Sequence, residues 1–134
     1  YLIALILTVS VQACDKPINI DAITKIESNN NPKAINKRTG ALGLCQIMPA
    51  TWQEFAKPNE KWDNADDNRN VSIRYFNWIK KALKKYGDKN YNNISHQLAA
   101  YNWGIGNFQK VKFNLNRVPR ETKDYINKYN RLTK

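Results

Sequence analysis

A mainly α-helical fold follows from three features of this sequence. Apolar residues recur at steps of three and four, as a helix with one buried face requires. Asn, Pro and Gly punctuate those runs where helices start and stop. No stretch alternates apolar and polar residues long enough to make a convincing strand. The 134 residues suit one domain, and an apolar fraction of 42% is enough to fill its core.

The sequence opens on Tyr1, not Met, with the apolar run LIALILTVSV at 2–11. A run of about ten residues is too short to cross a bilayer, which takes roughly 20. Residues 1–13 therefore read as a signal peptide or N-terminal membrane-targeting segment with a truncated start. Export to the periplasm or cell envelope is the expected outcome. Val11-Gln12-Ala13-Cys14 loosely resembles a lipoprotein cleavage box, which makes Cys14 a candidate lipid anchor. Residues 14–18 form a linker, and the folded domain runs from 19 to 134.

Asn19 or Asp21 caps a first helix that carries Ile20, Ile23 and Ile26 on one side. Glu27 follows at the edge of that stripe. Asn29-Asn30-Asn31-Pro32 then ends the helix, because Asn favours turns and Pro cannot continue the ladder. Pro49 opens a short second helix. Asp67 or Asn68 opens the longest helix, with Val71, Tyr75, Trp78, Ile79, Ala82, Leu83 and Tyr86 on its core face. Lys80, Lys81, Lys84 and Lys85 occupy its other face, and Gly87 ends it. Asn92 or Asn93 caps the helix ISHQLAAYN, which breaks at Trp103-Gly104-Ile105-Gly106. A last helix after Pro119 aligns Tyr125, Ile126, Tyr129 and Leu132.

Charge is unevenly distributed. Up to Asp67 there are 7 basic and 8 acidic residues; from Asn68 onward there are 15 basic and 3 acidic. The second half is cationic, which suits a polyanionic partner such as nucleic acid, anionic lipid or a cell wall. The same lysines also suit a plain solvated face.

Several chemistries are excluded. His96 is the only imidazole, no GxSxG is present, and no GxxxxGK phosphate loop occurs. With two cysteines and no CxxC there is no metal-ligand pattern, and no cofactor is implied. Carboxylate chemistry remains, and only 11 acids can supply it. Asp63, Asp66 and Asp67 precede the long helix, where they suit its positive end. Glu121 and Asp124 fall in the first turn of the last helix, Asp88 in a turn, and Glu54 and Glu60 beside a surface-like segment. Glu27 alone adjoins an apolar stripe and leads into a glycine-bearing loop. Taken by itself, that position also suits a surface acid at a helix end.

Four motifs in order alter the balance. They are Glu27-Ser28, then GALGLCQIMPAT at 40–51, then AYNWG at 100–104, then Glu121-Thr122 with Tyr125. This set resembles the soluble lytic transglycosylase family (SLT-type) of peptidoglycan-cleaving enzymes, over about Ile18 to Leu132. The resemblance implies a small single catalytic domain with a lysozyme-like fold, shared by goose-type lysozyme and lytic transglycosylases. It implies that Glu27 protonates the bond between N-acetylmuramic acid and N-acetylglucosamine. The resulting carboxylate then takes the C6 hydroxyl proton, leaving a 1,6-anhydro end.

By the same resemblance Tyr125 orients the acid. Asn102 contacts the substrate acetamido group, and Gln46 and Met48 line the sugar cleft. Tyr101 packs at its floor, and Ser28 shapes the turn or touches substrate. To act as an acid near neutral pH, Glu27 needs a raised pKa, and Leu44, Ile47, Met48 and Tyr101 are the apolar residues expected to raise it. Cys45 stands where the family usually has Met, a position expected beside the cleft, and with Cys14 removed or lipidated it is expected to stay a free, buried thiol. The implied partner is the peptidoglycan glycan strand, cut by a monomer that recognises no specific nucleic acid. Secretion, conjugation or phage machinery are settings for such an enzyme. Two other readings compete: a hydrolytic muramidase using the Asp63, Asp66 and Asp67 group, and an inactive cationic protein binding wall or nucleic acid.

Overall fold

The computed structural model describes residues 16–134; the apolar segment at 1–13 and Cys14 lie outside them. Among the described residues are six α-helices: α1 (Ile20–Ser28), α2 (Pro49–Phe55), α3 (Ala65–Lys85), α4 (Ile94–Trp103), α5 (Ile105–Lys110) and α6 (Arg120–Leu132). A 3-10 turn, Leu115–Arg117, precedes α6. In place of strands there are two isolated bridges, Ile35 to Leu42 and Leu42 to Ile47.

Local chemistry sets the helix ends. Asn19 accepts from the Ala22 N–H, and Asn93 from the Ser95 N–H. Asn29 closes α1 in the left-handed conformation that Asn tolerates. Pro49 occupies the first turn of α2. The long helix starts earlier than its sequence suggests. Asn64 caps it by accepting from the Asp67 N–H, and Asp66 and Asp67 sit inside the first turn.

Helix α4 is the hub, packed against α3, α5 and α6, while α1 closes on α6 and α3. Five consecutive residues of α4, His96 to Ala100, are buried, so the helix is covered all round. His96 belongs to this core: its Nδ1 lies 2.7 Å from Asp88 Oδ2, and its ring meets Phe108 edge-on. Asp88, in the turn after the long helix, is buried as well. Glu60 is likewise not a free surface acid; it pairs with Arg74 and accepts from the Lys57 N–H.

The core face of α3 differs from its sequence reading. Phe76 is buried, whereas Trp78 and Tyr86 are exposed. The buried face also takes in two polar residues, Asn68 and Ser72. On α6, Tyr125, Ile126 and Tyr129 are buried as expected, and Leu132 lies in the open.

Candidate active site

Glu27 sits in the last turn of α1, and its carboxylate points at α6. The Tyr125 hydroxyl donates to Glu27 Oε1 at 2.7 Å. Burial raises Glu27 from 4.5 to about 7, partly opposed by that hydrogen bond, which favours the charged form. Burial and the neighbouring Glu27 charge hold the Tyr125 phenol well above its usual range, so it remains a donor.

The loop from 40 to 48 faces this acid. Leu42 and Ile47 exchange backbone hydrogen bonds of 2.9 and 3.0 Å, which folds the segment between them into a tight turn. Gly43 takes φ +72° there, and Gln46, a non-glycine residue, takes φ 50°. Three helices hold the turn by side chains. Ser28 of α1 donates to the Leu44 carbonyl at 2.8 Å. Tyr101 of α4 donates to the Cys45 carbonyl at 2.8 Å. Asn68 of α3 accepts from the Cys45 N–H at 2.8 Å and donates to the Leu42 and Trp62 carbonyls. The buried polar groups of this turn are thereby paired.

A cleft of about 230 Å³ opens over the acid, lined by Glu27, Gln46, Ile47, Met48, Tyr101 and Asn102 among others. Of the residues singled out in the sequence, five line it: Glu27, Gln46, Met48, Tyr101 and Asn102. Tyr125 lies behind the acid and acts through it. Ser28 is not in the wall; its hydroxyl serves the turn instead. Gln46 donates from Nε2 to the Gly43 and Ala34 carbonyls, leaving Oε1 for a ligand. The Asn102 Oδ1 accepts from Thr122 at 2.9 Å, which leaves Nδ2 free to donate to a ligand carbonyl.

Cys45 is the free, buried thiol its sequence suggests, but it does not line the cleft. Its side chain is fully buried, away from the cleft wall, and burial pushes the thiol up to about 12.

The cleft also includes Asn36, Arg38, Thr39, Thr51, Tyr75 and Glu121, which the sequence reading passed over for this role. The Asn36 turn carries no catalytic signature. Glu121 was assigned to helix capping, and it does lie in the first turn of α6, but that turn also borders the cleft. It is exposed, and among the described residues no hydrogen bond or ion pair orients it.

Removing the Tyr125 hydroxyl tests the pair. Tyr125→Phe takes away a hydrogen bond that favours the carboxylate, so the acid should titrate above its present value of about 7. The expected result is a loss of roughly 10- to 100-fold in kcat, with the alkaline fall in activity moved to higher pH. A pH–rate profile checks both.

A nearly all-helical domain with a half-buried acid, Glu27, facing an open cleft suits a lysozyme-like domain. The family model described as Transglycosylase SLT domain matches residues 10–124. The chain therefore belongs to the SLT transglycosylase family, whose substrate is peptidoglycan.

Proposed function

We propose that this protein is a peptidoglycan lytic transglycosylase, with Glu27 as the sole general acid and base. The observation that carries the reading is the half-buried Glu27, raised to about 7 and hydrogen-bonded to Tyr125, at the edge of the cleft. A group titrating there holds its proton often enough at neutral pH to donate it, and its conjugate base is strong enough to take one back.

The chemistry balances with one carboxyl group. Glu27 gives its proton to the N-acetylglucosamine oxygen as the bond to C1 of the muramic sugar breaks. The C6 oxygen then bonds to C1, and its proton returns to Glu27. No water is consumed. Asn102 Nδ2 suits the acetamido carbonyl, holding that group where it can support positive charge at C1. Tyr125 keeps the carboxylate aimed between the two steps.

Glu121 supports a second reading, since most glycosidases use a pair of carboxyl groups. As a water-positioning base it would make the protein a hydrolytic muramidase. Against this, a base that aims a water needs a fixed orientation, and nothing holds Glu121. Mass spectrometry of products from purified peptidoglycan separates the two. Anhydro-muramic ends are the expected result; reducing ends would mean hydrolysis.

The apolar run at 2–11 supports export to the periplasm or cell envelope, where the substrate lies, with Cys14 as the point for a lipid anchor.

A further inference from the structure

The cleft over Glu27 holds about 230 Å³, below the roughly 300–1,000 Å³ of an ordinary small-ligand pocket. A polymeric glycan must continue past it. From the cleft a line of aromatic rings runs from Tyr101 of α4 onto α3. Tyr101 and Tyr75 both line the cleft, with ring centroids 5.6 Å apart. Trp78 comes next, 5.9 Å from Tyr75, with the two planes only 21° apart. Phe55 of α2 braces both rings, at 5.2 Å from Tyr75 and 5.8 Å from Trp78.

Trp78 is 37% exposed although its helix has a full core face available. Its chain neighbour Asn77 and Lys81 one turn on are both exposed, so polar side chains flank this aromatic ridge on the helix surface. That setting suits a ligand with one apolar face and polar edges. A pyranose has this shape: its axial C–H bonds form an apolar face and its hydroxyls form the rim. One helical turn advances about 5.4 Å, close to the length of one sugar in a β-1,4-linked chain.

We infer that Trp78, supported by Tyr75 and Phe55, forms a distal sugar subsite that takes the glycan strand where it leaves the cleft. The identity of the glycan rests on the transglycosylase reading. The occupant is a sugar and not a protein because Tyr75 joins this ridge directly to the cleft.

The test compares Trp78→Ala and Trp78→Phe with the parent on long purified glycan strands and on a tetrasaccharide. The parent should show a kcat/KM about tenfold higher on long strands, the size expected of one aromatic stacking contact. Trp78→Ala should reduce that advantage to within about threefold, and Trp78→Phe should keep most of it. An advantage that persists in Trp78→Ala overturns the subsite, as does an equal loss on both substrates. Calorimetry in the Glu27→Gln background gives a readout without turnover, using β-1,4-linked N-acetylglucosamine oligomers of increasing length. Affinity should rise with length only when Trp78 is present, and a Trp78-independent rise overturns the proposal. If the parent releases no anhydro product, the functional reading fails, while the binding series still decides the subsite.

Discussion

Replacing Glu27 with Gln is expected to abolish muropeptide release and, above pH 7, to stabilise the fold. The loss of rate should be at least about 10³-fold, since general acid and base steps each contribute roughly 10²–10⁴ and this one group serves both. The amide keeps an oxygen for the Tyr125 hydroxyl, so the site should retain its shape. The gain in stability follows from the raised titration. Below 4.5 the carboxyl is protonated in both folded and unfolded chains, and the shift has no effect. Between 4.5 and about 7 the folded chain keeps a proton that the unfolded chain has lost, so raising the pH favours unfolding. Above about 7 the whole cost of ionising this desolvated carboxyl is present, about 3 kcal/mol. Gln carries no charge at any pH and escapes it. Thermal melts at pH 4 should barely separate the two proteins; at pH 8 the variant should melt on the order of 10 °C higher. Parental activity should fall as pH rises through about 7. An equal melting difference at both pH values would show that Glu27 ionises at an ordinary carboxylate pH.

That prediction rests on a residue found in the sequence by elimination and by motif order. The starts of α1, α2 and α4 and the buried stripe of α6 were legible for the same kind of reason. The Asn19 and Asn93 caps, Pro49, and the stripe of Tyr125, Ile126 and Tyr129 are local signals that tertiary packing did not override. The long helix was less legible because its buried face is partly polar. Asn68 and Ser72 are fully buried to hold the cleft loop and the Tyr101 hydroxyl, and apolar periodicity cannot see such residues. With two of its core positions polar, the apparent stripe turns toward Trp78 and away from Phe76.

Carboxylates show the same limit. Elimination treated helix capping and cleft lining as alternatives. For Glu121 they coincide, because the first turn of α6 forms the cleft edge. Cys45 shows the converse. Its motif runs along the cleft, yet within a tight turn neighbouring side chains point opposite ways, so Gln46 reaches the cleft while Cys45 enters the core. Motif order located the segment, but only the turn geometry shows which side chains meet substrate.

The same turn gives the largest expected loss of stability. Gly43→Ala would place a Cβ 2.4 Å from the Asn68 Nδ2 and 2.4 Å from the Trp62 carbonyl, at a backbone φ of +72°. Neither neighbour can yield. Trp62 presents backbone, and Asn68 is fixed by its bonds to the Leu42 and Trp62 carbonyls and the Cys45 N–H. Left-handed backbone costs an alanine about 1–2 kcal/mol, and overpacking a filled site adds about 1–3. The loss should therefore be about 2–5 kcal/mol, a fall in melting temperature on the order of 5–20 °C. Removing Asn68 as well cannot rescue the variant, because the Trp62 carbonyl remains in the way and three backbone groups lose their partner. Gly106→Ala is the matched control. Gly106 lies in α5 with nothing near its missing Cβ, so alanine there should be neutral or stabilise by roughly 0.5–1 kcal/mol. Paired denaturation curves read both. If Gly43→Ala melts with the parent, close packing of the turn against α3 is not what fixes Gln46 and Met48 at the cleft.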